Sequence, residues 1–318
     1  MCYSAMIQAD YDKYVRKYGA TMSLEDFAQN VWNAPNRKAK KRVRAMEDWL
    51  RDYSQPNGAV WPQIVAERAA KETAAQQELF KQTKRKADAE RALQAKVTKK
   101  AQEDLRISTD KIAKLKVDLD DLQRTDSKPR DARFFPGMYA PVIVMENGKR
   151  VIKPMRYQCR LPGWNEAVER KYPGTYNARR DSLGKAWSEL FGARHGIVVV
   201  TAFYENVERH AMEHRELKPG EESENVVLEF KPRPEHDMFI ACLWNESPDG
   251  DGTLLSFAAI TDEPAPEVAA AGHDRTIIEI TAENWDDWLT PGLPLTRYQE
   301  ILSERPKVYY EHQVAKAA

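Results

Sequence analysis

A highly charged block in the first half of the chain restricts the fold most. Residues 23–122 are helical in pattern and highly charged, and the stretch 63–122 is rich in Ala, Lys, Glu, Gln and Arg, the residues that form helices best. "SLED" opens it: Ser23 caps a helix, Asp26 answers three residues later, and Phe27 and Val31 share one face. Val43, Met46, Trp49 and Leu50 mark a second helix that ends before the turn formers of "SQPNG". Pro62 then fits the first turn of a long helical segment from Gln63 to Leu122. Near its end Ile112, Leu115, Leu119 and Leu122 step by three, four and three, which makes a seam for a partner helix. The seam fades upstream into Ala, Thr and Gln, so the expectation is an antiparallel helical hairpin with a break near Ser108, not a sustained coiled coil.

The turn-rich "RTDSKPRDARFFPG" closes this block, and from Phe135 the texture changes. "YAPVIVM", "GIVVVTAFYE", "VVLEF", "MFIACLW" and "LLSFAAIT" are β-branched and aromatic, and Gly, Pro, Asn and Asp separate them. "AENWDDWL" reads as a short helix. The expected fold class is α+β: a mixed, mainly antiparallel sheet or barrel with flanking helices, formed by residues 1–20 and 131–310 and interrupted by a charged helical insertion at 21–130. Residues 311–318 are expected to form a C-terminal tail.

Composition narrows the class of function. The formal net charge is zero, which argues against a uniformly basic coat protein for nucleic acid but leaves room for a local basic groove. No apolar run has the length of a membrane helix, and no basic-then-apolar leader is present, so a cytoplasmic protein is expected. The three cysteines, Cys2, Cys159 and Cys242, have no CxxC spacing, so neither a disulfide framework nor a zinc site is expected, and no cofactor.

Cys2 follows the initiator Met. If Met1 is trimmed, one residue carries a free α-amine and a free thiol; otherwise Cys2 is an ordinary small apolar residue. Glu205 in "TAFYENV" and His273 in "AAGHDRTIIEI" sit at the edges of apolar runs, where a strand end delivers a side chain into a pocket. Their plain reading is a solvated rim carboxylate and a surface or core imidazole. "YNARRDSL" places Asn177, Arg179 and Arg180 in a turn-like context, where an amide can orient a ligand and a guanidinium suits phosphate.

In order and surroundings these pieces resemble the SRAP family, the SOS response-associated peptidases that process abasic sites. The matching elements are Met-Cys at the start, Ala140-Pro141 in "YAPVIV", Met155, Pro162 and Trp164 in "MRYQCRLPGW", Asn177 to Arg179 in "YNARRD", Glu205, Thr261 in "FAAIT", and His273 with Arg275 in "GHDRTI". Several positions depart from the family pattern. Tyr3-Ser4 replaces Gly-Arg after the cysteine, Tyr157-Gln158-Cys159-Arg160 replaces Trp-Gly-Leu, Asn206 replaces a Trp, and Arg275-Thr276-Ile277 replaces Arg-Met-Pro. The helical block has no counterpart in compact family members.

The resemblance implies a peptidase and abasic-site crosslinking enzyme, with lyase activity in view, in the DNA damage response. Cys2 would close a thiazolidine on the ring-opened abasic aldehyde in single-stranded DNA once Met1 is removed, by the protein itself or by an aminopeptidase. Glu205 would assist ring opening, His273 would act as general acid and base, and Asn177 would hold the adduct. Arg179 would grip a flanking phosphate, with Tyr157, Trp164, Thr261 and Arg275 completing the DNA-binding set. The implied partners are abasic single-stranded DNA and replication or repair proteins, with no membrane. Two other readings stand beside it: a cysteine peptidase or amidohydrolase built on Cys2 and His273, and a non-catalytic DNA or protein adaptor. The basic "NRKAKKRVR" and the lysines between Lys81 and Lys100 read as a solvated helical face or as an auxiliary electrostatic surface for DNA.

Overall fold

The structure, a computed structural model, describes residues 3–22, 41–52, 60–250 and 252–315. The chain divides into two units, residues 1–49 with 128–318, and residues 50–127. The expected "SLED" helix start and the "SQPNG" turn lie outside the described residues.

In the first unit the β-branched runs become strands of one sheet. The strands are β1 (Ser4–Ile7), β2 (Lys41–Arg42), β3 (Arg133–Phe134), β4 (Met138–Glu146), β5 (Lys149–Tyr157) and β6 (Asn177–Arg179). They continue as β7 (His195–Glu208), β8 (Asn225–Arg233), β9 (Met238–Asp249), β10 (Gly252–Asp262), β11 (Thr276–Ile277) and β12 (Tyr309–Val314). Five of them pair around a ring, β7–β9–β10–β5–β4 and back to β7, and so close a barrel. Only the β10–β5 step of the ring is parallel. Closure removes the unpaired edges that an open sheet would expose. At the seam β7 comes close to β4 because residue 196 is glycine: a Cβ there would meet Val142 Cγ1 at 2.7 Å and the Cys242 sulfur at 3.1 Å.

β7, at 14 residues, outruns the ring. Its first part pairs with β4 and β9, and its second part carries β1 on one edge and β8 on the other. β12 extends the sheet beyond β8, so residues 311–314, read from the sequence as the start of a tail, are strand. Tyr310 anchors them, its ring 5.2 Å from that of Phe203, which in turn stacks on Phe230 at 4.9 Å. The core includes Ile7, Phe134, Phe203, Phe230, Phe257 and Trp288, all fully buried. Aromatic rings bury large apolar areas and fix one another's orientation.

In the second unit the long helical segment divides in two, Val60–Ala95 and Lys99–Gln123. They run antiparallel, because Arg85 pairs with Asp104 at 2.5 Å near the turn and Gln123 donates to Glu72 at 2.6 Å toward the other end. The break falls at residues 96–98, not near Ser108. Thr98 has an extended backbone and its hydroxyl accepts from Ala101 N–H, which gives the second helix a proper cap. Ser108 instead stays helical and donates to the carbonyl of Asp104 at 2.6 Å, the back-bond that lets a serine sit inside a helix. Leu119 is buried, while Ile112, Leu115 and Leu122 are half-buried along the expected seam.

Candidate active site

The second half of β7 delivers Glu205. Alternation along the strand turns its side chain inward, and it is fully buried. His273 reaches it from the segment between the helix Pro266–Ala270 and β11, with Nε2 at 3.2 Å from Glu205 Oε2. That segment turns on Gly272, whose φ of +92° suits glycine. A Cβ at Gly272 would also stand 3.2 Å from that of Ala211.

Burial holds the His273 imidazole below its ordinary pKa, so the ring is neutral at neutral pH. The ring Nδ1 lies 3.0 Å from the Arg275 carbonyl and 3.3 Å from the Arg275 N–H, while Nε2 faces Glu205 Oε2 at 3.2 Å. A buried carboxylate and a neutral imidazole in contact can pass a proton between them and a bound substrate.

β1 starts beside this pair. Ser4 lies opposite Tyr204, and the Tyr3 N–H donates to the Tyr204 carbonyl at 3.3 Å. Cys2 itself lies outside the described residues.

Asn177 and Tyr157 form a second pair. Asn177 opens β6 opposite Ala259 of β10, and the Tyr157 hydroxyl donates to its Oδ1 at 3.3 Å. Both side chains are buried. The Tyr157 ring stands 5.1 Å from Phe134, whose strand β3 pairs with β1. Arg179 ends β6 opposite Thr261, exposed and paired with Asp181 at 2.8 Å. Thr261 is fully buried, and its hydroxyl has no hydrogen-bond partner among the described residues. Arg275 is largely buried and meets Glu263 at 3.3 Å.

Trp164 stands elsewhere. It packs on Tyr172 at 5.4 Å and, with Arg160 and the β9–β10 turn, lines a depression of about 550 Å³ that none of the other candidate residues lines.

Sequence reading missed a cluster at the start of β1. The Arg133 guanidinium lies 3.7 Å above the Tyr204 ring and 4.8 Å from Phe135, and its Nε donates to Ser4 Oγ at 3.0 Å. Tyr3 packs edge-on against Phe135 at 5.6 Å. A guanidinium held between aromatic rings keeps its charge while shedding water. The signal for it was the "ARFFPG" run, read only as the end of the charged block.

No helix among the described residues is long and apolar enough to cross a membrane, and no group of three or more His, Cys, Asp or Glu among them could hold a metal ion.

Comparison with solved structures finds a protein from Bordetella bronchiseptica at 20% identity, covering 58% of this chain and 88% of its own, with a TM-score of 0.48. A protein from Bacteroides thetaiotaomicron is similar at 16% identity over 58% of this chain and 78% of its own, with a TM-score of 0.47. A phage-related protein from B. bronchiseptica follows at 16% identity over 61% and 85%, with a TM-score of 0.44. No curated protein matches the chain. The family model described as SOS response associated peptidase (SRAP) matches residues 91–317, well over half of the sequence. The chain therefore belongs to the SRAP family.

Proposed function

We propose that this protein captures abasic sites in single-stranded DNA through Cys2, once Met1 has been removed. The catalytic part is residues 1–20 and 131–310, with 21–130 as an insertion. The observation that carries this reading is the buried Glu205–His273 pair at the strand on which β1 begins. Cys2 precedes Tyr3 in sequence, and the Tyr3 N–H donates to the Tyr204 carbonyl of β7.

The chemistry follows from a 1,2-aminothiol meeting an aldehyde. The ring-closed abasic sugar must first open, which requires a proton to leave its anomeric hydroxyl and one to reach the ring oxygen. Glu205 and neutral His273 are suited to that exchange. The Cys2 α-amine then adds to the aldehyde carbon and water leaves, giving an imine. The thiol sulfur adds to the same carbon, its proton passes to nitrogen, and a thiazolidine closes. Amine and thiol on adjacent carbons make the second step intramolecular and fast.

Asn177, oriented by the Tyr157 hydroxyl, would hydrogen-bond the adduct, and Arg179 would hold a flanking phosphate. Trp164, Thr261 and Arg275 remain in the proposed DNA-binding set. The peptidase activity in the family's name would be the removal of Met1, which frees the amine.

A denaturing gel tests the proposal. The mature protein should form a band shifted by an abasic single-stranded oligonucleotide, and Cys2→Ala should form none. A shifted band of equal intensity from Cys2→Ala would overturn the assignment.

A further inference from the structure

The closed end of the helical hairpin gathers charge that the rest of the unit does not. Residues 81–100, on both sides of the turn, hold eight Lys or Arg against two acids, whereas residues 101–126 hold five against seven. Part of that charge is neutralised locally: Lys81 lies 3.8 Å from Glu78, Arg85 2.5 Å from Asp104 and Lys86 3.9 Å from Glu90, and Arg91 pairs with Asp88. Lys84, Lys96, Lys99 and Lys100 are exposed, and none of them forms an ion pair with a described residue. Like charges held this close repel one another, and a bound anion relieves the repulsion. The second helix starts here too, so its positive end adds to the same field.

The surface has shape as well as charge. Between the two helices runs a groove of about 510 Å³, where Lys81, Lys84, Arg85 and Lys100 outnumber Asp88 and Asp104, both of which are paired with arginines, beside small alanines. The small alanines leave the groove open to a chain lying along it. One turn before Lys84 stands Phe80, 76% exposed, the most exposed large apolar side chain among the described residues. A free aromatic ring next to uncompensated lysines matches the alternation of base and phosphate in a single strand.

We infer that the closed end of the hairpin binds single-stranded DNA, with phosphates on Lys84, Lys99 and Lys100 and a base stacked on Phe80. The choice of DNA as the polyanion rests on the function proposed above.

Fluorescence anisotropy with an intact single-stranded oligonucleotide tests it, because an oligonucleotide without an abasic site forms no crosslink and the result is independent of Cys2. The combined variant Lys84→Gln, Lys99→Gln, Lys100→Gln should lower the slope of log affinity against log salt by about 2, at roughly 0.7 for each phosphate no longer neutralised. Lys111→Gln, Lys114→Gln, Lys116→Gln removes the same charge from the acidic stretch and should leave the slope unchanged. Phe80→Ala should weaken binding roughly tenfold at an unchanged slope. Equal slopes for the two triple variants, or full affinity in Phe80→Ala, would overturn the inference. Loss of crosslinking with these slopes intact would count against the thiazolidine reading alone.

Discussion

The barrel unit and the hairpin unit use charged residues in opposite ways. In the barrel, Glu205 and His273 are buried against each other, and Arg160 and Arg156 close on Glu169 at a site where Arg160 and Glu169 are each 3% exposed. In the hairpin, ion pairs such as Glu103–Arg106 lie on the surface, and four lysines at the turn have no described carboxylate partner. Burial gives a titratable group a fixed orientation and a shifted pKa, which is what proton transfer needs. Exposure keeps a charge available to a mobile polyanion, which is what capture needs.

The contrast is broken most directly at the proposed catalytic pair. His273→Ala should slow crosslinking by about two to four orders of magnitude, measured as single-turnover rate on abasic single-stranded DNA, while affinity for intact DNA stays the same. A rate within a few-fold of the parent would remove the pair from the chemistry. Glu169→Ala comes next: it leaves two guanidinium groups without their buried carboxylate and should cost about 3–5 kcal/mol in urea unfolding. The matching surface change, Glu103→Ala in the hairpin, should leave the unfolding midpoint where it was. Equal effects of the two would mean that burial does not separate the units as described.

Acid sharpens the same comparison through His195. Its ring is stacked on Trp288 at 4.0 Å, accepts from Gly192 N–H at Nε2 and meets the Trp288 carbonyl at Nδ1, and burial pushes its pKa down to about 3. The folded protein keeps this ring neutral, while the unfolded chain protonates it near the ordinary value of 6.5. Between pH 6.5 and 3 the unfolded state therefore binds the extra proton, and stability falls as pH falls through that window. Urea unfolding of the parent and of His195→Phe should show a shallower acid slope in the variant; parallel slopes would exclude His195 as the source.

The smallest effect concerns backbone. Gln158 follows the end of β5 with φ of +130°, a conformation that strains a side chain, so Gln158→Gly should be neutral to stabilising by about 1 kcal/mol.

The strand runs were legible because a closed barrel buries their β-branched residues, and "GIVVVTAFYE" carries Glu205 into the interior by simple alternation. The hairpin was legible from composition, but its turn was not. Ser108 and Thr98 are similar polar punctuation in the sequence, and only the local hydrogen bonds decide which of them caps. The Glu205–His273 contact joins residues far apart in sequence, so each alone read as a common residue and only the family resemblance suggested the pair. Arg133 was overlooked for the same reason: its aromatic partner Tyr204 comes from a distant strand.

Intact-mass spectrometry of the purified protein, before and after incubation with an abasic single-stranded oligonucleotide, puts the central claim to the test. The account predicts a starting mass without Met1 and a product equal to protein plus oligonucleotide less one water, with fragmentation placing the link at the first residue. A protein that reacts while still carrying Met1, or a link mapped to any lysine, would contradict it.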